Sequence, residues 1–163
     1  AGRTRGASRS ALAAARSAFG AMTNTLSRLT RDGEFSHANI DRGIALEGYD
    51  PVSYIDDQRA TAGVKGIEAT FRGIRYRFAT TAHRDVFIAD PSKYVPAFGG
   101  WCATAMAKGD KVEIDPTNFK VTNGRLFLFY KGLFGNALND WKADEAKLTS
   151  HADTWWKKLV NSK

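Results

Sequence analysis

The stretch from Phe71 to Cys102 constrains the fold more than any other part of this chain. Apolar and polar residues alternate on both sides of Gly73, a run with helical spacing follows, and the stretch ends at a Gly99-Gly100 corner. Alternation around a glycine predicts a β-hairpin. Threonines ahead of the helical run predict a capped helix. Strands and a helix in such close succession predict an α+β fold.

The patterns in the rest of the body extend this prediction to a small antiparallel sheet of hairpins packed with short helices. Asn123-Gly124 stands between two β-prone runs, and Asn-Gly suits the type I′ turn of a two-residue hairpin loop. We expect the Trp155-Trp156 pair to anchor the final helix to the core. The last third has helical spacing, and it predicts helices over residues 133–141, 144–148 and 153–160.

Charge and composition exclude several classes of protein. The first thirty-one residues carry six arginines and no acidic residue, so the net charge of +7 leaves only +1 for residues 32–163. Because a nucleic-acid-binding domain needs a basic face on its folded body, we expect no nucleic-acid partner. A single cysteine excludes an internal disulfide. No apolar run has the length of a membrane-spanning helix.

The N-terminal segment has the spacing of an amphipathic helix, and Asp32-Gly33 ends the pattern. We therefore divide the chain into a basic helix over residues 1–32 and a domain over residues 33–163. Three roles stay open for the helix: packing on its own domain or a partner protein, lying on an anionic membrane through residues 9–31, or serving as a mitochondrial transit peptide. The apolar face consists of Leu12, Ala15, Phe19, Met22, Leu26 and Leu29.

Several short motifs follow one another in order between residues 44 and 160. They are GYDPVSY (48–54), RYRF (75–78), HRDVF (83–87), DPSKYVP (90–96), GGWCA (99–103) and NGRL (123–126), with a tryptophan near the end at 155 or 156. In this combination the chain resembles the YHS-domain family, in its exported, single-cysteine branch. The resemblance implies a YHS-like α+β domain and an exported, periplasmic location. Residues 1–40 fall outside it.

The same resemblance implies a role in metal handling. Metal-handling relatives carry cysteines at positions that correspond here to Ser53, Ala79 and His83. This chain therefore has an imidazole at one of the positions and no thiolate at the other two. By resemblance we expect a non-enzymatic binding module for a transition-metal ion such as copper.

The residues themselves supply a second route to a metal site. Cys102 follows the Gly99-Gly100 corner at the expected start of a helix, where the helix dipole favours the thiolate. Met106 lies four residues further on, on the same helical face. Two soft sulfur ligands favour Cu(I), and the imidazole of His83 completes a mixed site. Cys102, Met106 and His83 are therefore the candidate metal ligands. The simpler interpretation is that both sulfurs belong to the core.

Catalytic patterns are weaker than these binding patterns. A Cys102 nucleophile with His83 or His151 as base lacks a third, orienting residue in the sequence. Asp56-Asp57 stands in a polar loop, and we expect Asp50 to cap local backbone. We therefore expect no enzymatic activity. The alternative to a binding module is an accessory subunit that docks on a partner complex or a membrane surface through its N-terminal helix.

Overall fold

The computed structural model describes residues 35–162, which form an α+β domain. The amphipathic helix predicted for residues 1–32 lies outside the described residues. The strands are β1 (Ile40–Asp41), β2 (Ile44–Ala45), β3 (Glu68–Phe71), β4 (Ile74–Arg77), β5 (Asp115–Thr122), β6 (Arg125–Phe129), β7 (Lys131–Gly132) and β8 (Gly135–Asn136). The α-helices are α1 (Pro51–Asp56), α2 (Thr81–Ala89), α3 (Ala103–Met106), α4 (Ala137–Ala143) and α5 (Glu145–Asn161).

Within residues 35–162 the strands form one four-stranded sheet and two separate hairpins. The sheet has the order β1-β2-β4-β3. Its pairs are antiparallel except for β2 with β4, which run parallel and meet at Ile44 and Arg75. The pairs β5-β6 and β7-β8 are antiparallel. The expected hairpins are therefore present, and the sequence pattern did not predict the one parallel pairing.

Three hairpin turns have the positive φ angles of type I′ turns, with glycine as the second central residue. Arg42-Gly43, Arg72-Gly73 and Asn123-Gly124 all have positive φ at both central residues, between 50° and 80°. A type I′ turn requires positive φ at both positions, and glycine adopts it without steric cost. The hairpins predicted at Gly73 and at Asn123-Gly124 are therefore confirmed.

The helix after the β3-β4 hairpin begins and ends where the sequence predicts. Thr80 is its N-cap, and the threonine Oγ1 accepts a hydrogen bond from the backbone N–H of His83 at 3.1 Å. Asp90 closes the helix, and Pro91 starts a 3-10 turn that leads to the buried ring of Tyr94. Because proline cannot continue the hydrogen-bond ladder of an α-helix, the change of direction falls at this point.

The C-terminal third differs from its prediction. Residues 133–136, predicted as helix, form the turn and the second strand of the β7-β8 hairpin, because Gly132 and Gly135 favour a turn over a helix. Residues 145–161 form the single helix α5, since neither glycine nor proline interrupts them. None of the helices within residues 35–162 combines the length and the apolar character that crossing a bilayer requires.

Two hydrophobic clusters stabilise the described domain. The first joins the four-stranded sheet to α1 and α2, with Tyr54, Phe78 and Phe87 at its centre. The second joins β6 to the helices α3, α4 and α5 around the buried ring of Trp141. Trp156 packs against the second cluster, whereas its neighbour Trp155 is 41 % exposed. Only one tryptophan of the predicted pair therefore packs against the described core.

The Gly99-Gly100 corner brings the first described residues against the last helix. Gly99 has φ of +60°, and a Cβ at this position would lie 2.8 Å from the ring of Trp156 and 3.0 Å from Cα of Ala38. The carbonyl oxygen of Gly99 also accepts a hydrogen bond from the backbone N–H of Asn39 at 2.8 Å. The corner therefore requires glycine both for its backbone conformation and for its close neighbours.

We expect Gly99→Ala to lower the free energy of unfolding by about 1–3 kcal/mol more than Gly73→Ala does. Both glycines have positive φ, so both substitutions carry backbone strain, but a Cβ at Gly73 meets nothing within 4 Å. Urea unfolding followed by tryptophan fluorescence measures both variants. Equal losses would mean that Trp156 and Ala38 accommodate the methyl group without cost.

Candidate functional site

Asp50 is a fully buried carboxylate at the start of α1, with Pro51 in the first helical position. Its Oδ1 accepts a hydrogen bond from the backbone N–H of Val52 at 2.9 Å, so the predicted capping role is confirmed. Its Oδ2 accepts another from the backbone N–H of Ala79 at 2.9 Å, just after β4. Asp50 therefore joins α1 to the segment that connects β4 to α2.

The carboxylate of Asp50 also orients the imidazole of His83, in the first turn of α2. Oδ2 of Asp50 lies 2.6 Å from Nδ1 of His83. Because this carboxylate already accepts backbone N–H groups, we assign the proton to Nδ1 from the hydrogen-bond network. In the neutral ring Nε2 then keeps its lone pair. The side chain of His83 is 24 % exposed, whereas that of Asp50 is fully buried. A partly solvent-exposed imidazole is therefore held in place by a buried carboxylate.

Asp57 supplies an oxygen beside the second nitrogen of His83. Oδ2 of Asp57 lies 3.5 Å from Nε2, and the Asp57 side chain is 52 % exposed. Two ligands that each lie about 2.1 Å from one tetrahedral ion stand about 3.4 Å apart. Nε2 of His83 and Oδ2 of Asp57 therefore have the separation of two ligands of one metal ion.

Asp56, the neighbour of Asp57, has a different role. It accepts a hydrogen bond from the hydroxyl of Tyr94 at 2.9 Å and lies 3.9 Å from the ammonium of Lys93. Burial of the phenol, together with this hydrogen bond and the charge of Asp56, raises the pKa of Tyr94. The two adjacent aspartates therefore serve separate contacts and do not act as a carboxylate pair.

The three positions that the sequence resemblance singles out all contact Asp50. The hydroxyl of Ser53 donates to the main-chain carbonyl of Asp50 at 2.7 Å. The backbone N–H of Ala79 and the ring of His83 bind its carboxylate. The sequence singled out these positions but missed Asp50 as the group that orients the imidazole. One signal in the sequence could have found it. Asp50 stands three residues before Ser53, and capping uses only one of its two carboxylate oxygens, so the other is available to a second partner.

Cys102 is fully buried in the first hydrophobic cluster. It is the N-cap of the four-residue helix α3, so its predicted place at a helix start is confirmed. Its Sγ accepts the backbone N–H of Tyr130 at 3.4 Å, and its backbone forms a bridge with Leu128 of β6. The thiol therefore fixes the chain where β6 ends.

Met106 ends α3 and is fully buried in the second cluster, so the two sulfurs belong to different parts of the core. Within the part of the chain that the structure describes, no three His, Cys, Asp or Glu side chains form a group that could hold a metal ion. The ligand set of Cys102, Met106 and His83 stays a prediction. The burial of both sulfurs fits the simpler interpretation that they are core residues.

The other two histidines lie in different surroundings. His37 approaches the ammonium of Lys111 with its Nδ1 at 2.7 Å, and desolvation together with this positive charge lowers the pKa of His37. His151 is exposed on α5. Of the three imidazoles, His83 alone has a hydrogen bond to a buried carboxylate.

Comparison of the chain with protein-family models, with curated protein sequences and with solved structures finds no match. The YHS resemblance therefore rests on the motifs of the sequence. The site is described by its geometry alone: an oriented imidazole, a second carboxylate beside it, and two buried sulfurs.

Asp50→Asn is expected to lower the free energy of unfolding by at least about 1–3 kcal/mol, because the amide leaves one or more buried N–H donors without an acceptor. Asp57→Asn is the matched control, since this side chain is half exposed. We expect this variant to change the free energy of unfolding by no more than about 0.5 kcal/mol. Urea unfolding gives both values. Equal small losses would show that the contacts of Asp50 contribute little to the fold.

The thiol of Cys102 should react with iodoacetamide at least about tenfold more slowly in the native protein than in urea, because a fully buried sulfur reacts only after local opening. The chain has a single cysteine, so alkylation measured by mass spectrometry reports this site alone. Equal alkylation rates in the native and the urea-unfolded protein would show that the thiol of Cys102 is accessible, so that it could act as a nucleophile or a metal ligand.

Proposed function

We propose that this chain is a non-enzymatic, YHS-type binding module that takes a divalent transition-metal ion at His83. The observation that supports this proposal is the 2.6 Å contact between Nδ1 of His83 and the buried carboxylate of Asp50. Histidines that ligate metals commonly donate their other ring N–H to a carboxylate, which fixes the ring and makes the ligating nitrogen more basic. Asp50 provides this support before any ion binds.

The second ligand in this proposal is the carboxylate of Asp57. An imidazole together with a carboxylate oxygen suits Zn²⁺ or Cu²⁺, whereas Cu(I) prefers sulfur. Both sulfurs of the described chain are buried, so the proposed ion is divalent. Two protein ligands leave the remaining coordination positions to water or to groups of a partner. We therefore expect weaker binding than at a four-ligand structural zinc site.

The charges around His83 favour a cation. Asp50 and Asp57 flank the ring on its two nitrogens, at 2.6 Å and 3.5 Å. A cation bound at Nε2 lies beside the carboxylate of Asp57 and across the ring from that of Asp50, and both negative charges stabilise it.

His83→Gln is expected to weaken the binding of Zn²⁺ and Cu²⁺ at least about tenfold, since it removes the oriented ligand. His151→Gln is the matched control, because it removes an exposed imidazole from α5. Isothermal titration calorimetry at neutral pH, with native mass spectrometry for stoichiometry, measures all three proteins. If His83→Gln binds both ions as tightly as the wild type does, the proposal is wrong.

Cys102→Ser distinguishes this site from the soft-ligand set. We expect the serine variant to bind Zn²⁺ and Cu²⁺ as the wild type does. An anaerobic Cu(I) titration of the same two proteins tests the sulfur directly. Loss of Cu(I) binding in Cys102→Ser, with no effect of His83→Gln on the divalent ions, would support the sulfur site in place of the one proposed here.

A further inference from the structure

The β7-β8 hairpin ends in two large apolar residues that the described structure leaves almost entirely uncovered. Leu133 is 93 % exposed and Phe134 is 92 % exposed. They form the two-residue loop between Gly132 and Gly135, which pair across the hairpin. We refer to these two residues as the Leu133-Phe134 tip. Large exposed apolar side chains that stand together mark interaction sites more often than single ones do.

Turn chemistry does not account for these residue types. The other three two-residue hairpin loops of the described chain have glycine at the second position and positive φ at both positions. Neither Leu133 nor Phe134 has positive φ, and Gly135, next to them, has φ of +113°. Turns favour Gly, Asn, Asp, Pro and Ser. Leu and Phe at this place therefore need a reason other than the turn itself.

The base of the hairpin is held by a buried asparagine. Asn118, which is 7 % exposed, donates from Nδ2 to the carbonyl of Tyr130 at 3.2 Å and to Oδ1 of Asn136 at 2.8 Å. Tyr130 directly precedes β7, and Asn136 is the last residue of β8. The same carbonyl of Tyr130 accepts the backbone N–H of Ala137 at 3.0 Å. A single buried side chain thus fixes both ends of the hairpin.

Further contacts tie the hairpin to helix α3 and to its own tip. Cys102 accepts the backbone N–H of Tyr130 with its sulfur at 3.4 Å. Thr104 donates from its hydroxyl to the carbonyl of Ala137 at 2.8 Å. The hydroxyl of Tyr130 accepts the backbone N–H of Phe134 at 3.3 Å. The tip is therefore presented from an ordered support, which reduces the entropy that binding would cost.

We propose that the Leu133-Phe134 tip inserts into the interfacial region of an anionic lipid bilayer. Leu and Phe are typical of the side chains that enter the boundary between headgroups and acyl chains, and basic residues commonly stand beside them. Lys131 is the exposed basic residue of this hairpin. Insertion of two side chains requires no complementary pocket on the other surface.

The size of the tip favours a bilayer over a protein partner. A buried phenylalanine contributes roughly 150–250 Å², whereas a specific protein interface buries roughly 1,200–2,000 Å² in total. The tip alone is therefore too small for a stable protein complex.

The charge of the N-terminal sequence also favours an anionic bilayer. Residues 1–31 carry six arginines and no acidic residue, with the spacing of an amphipathic helix. Stable attachment to a bilayer generally takes two signals, and an apolar anchor combined with a basic segment is one such pair. The tip supplies the first, and the basic segment supplies the second. This inference is independent of the metal site at His83.

The test measures sedimentation of the full chain with vesicles of phosphatidylcholine and phosphatidylglycerol in equal parts. Leu133→Asn combined with Phe134→Gly should lower the partition coefficient at least about tenfold, since a tenfold change needs about 1.4 kcal/mol of lost apolar burial. This variant installs the Asn-Gly loop that the chain already uses at residues 123–124. Ile88→Ser, which removes a 58 % exposed apolar residue from α2, should leave the partition coefficient unchanged.

Vesicles of phosphatidylcholine alone carry no net charge, so they test the apolar tip without electrostatic attraction of the basic segment. We expect the protein to bind them more weakly, and this weaker binding should still depend on the Leu133-Phe134 tip. Three results would overturn the proposal: no binding by the wild type, equal binding by the Asn-Gly variant, or a wild-type dimer in the absence of lipid that the variant abolishes. The dimer would assign the tip to contact between two copies. If circular dichroism shows that the double variant does not fold, the single variants Leu133→Ser and Phe134→Ser are measured in its place, and each should bind the vesicles more weakly than the wild type.

Discussion

The buried carboxylate of Asp50 is the interaction on which the architecture of the site depends. Its two oxygens accept hydrogen bonds from the start of α1, from the end of the β4 segment and from the imidazole of α2. A buried charge is costly unless such donors surround it. The same contacts that satisfy the charge therefore also fix the orientation of His83, so the fold and the candidate site cannot be separated at this point.

Local rules of turn and capping chemistry predicted much of the fold. Asn123-Gly124, Thr80 and Asp90-Pro91 all act where the sequence places them. The predictions failed where an element depends on partners distant in sequence, as in the parallel pairing of β2 with β4. They also failed at residues 133–136, where helical spacing of apolar residues suggested a helix although two glycines close a hairpin.

The candidate site shows the same division. The resemblance singled out His83 as a candidate, and the neighbouring Gly99-Gly100 corner placed Cys102 at a helix start. The sequence did not connect Asp50 to His83, which lie thirty-three positions apart and meet only through the packing of α1 on α2. It also left both core and ligand roles open for the sulfurs, because burial is a property of the whole fold. Cys102 and Met106 are both fully buried.

The contact of Gly99 with Ala38 and Trp156 has a consequence for the order of folding. The corner is closed by residues near the beginning and near the end of the described domain. Trp101 adds to it by donating from its indole nitrogen to the carbonyl of His37 at 2.6 Å. During synthesis this junction stays incomplete until helix α5 has emerged from the ribosome. The first sheet can form earlier, whereas its attachment to the second cluster is a late step of folding.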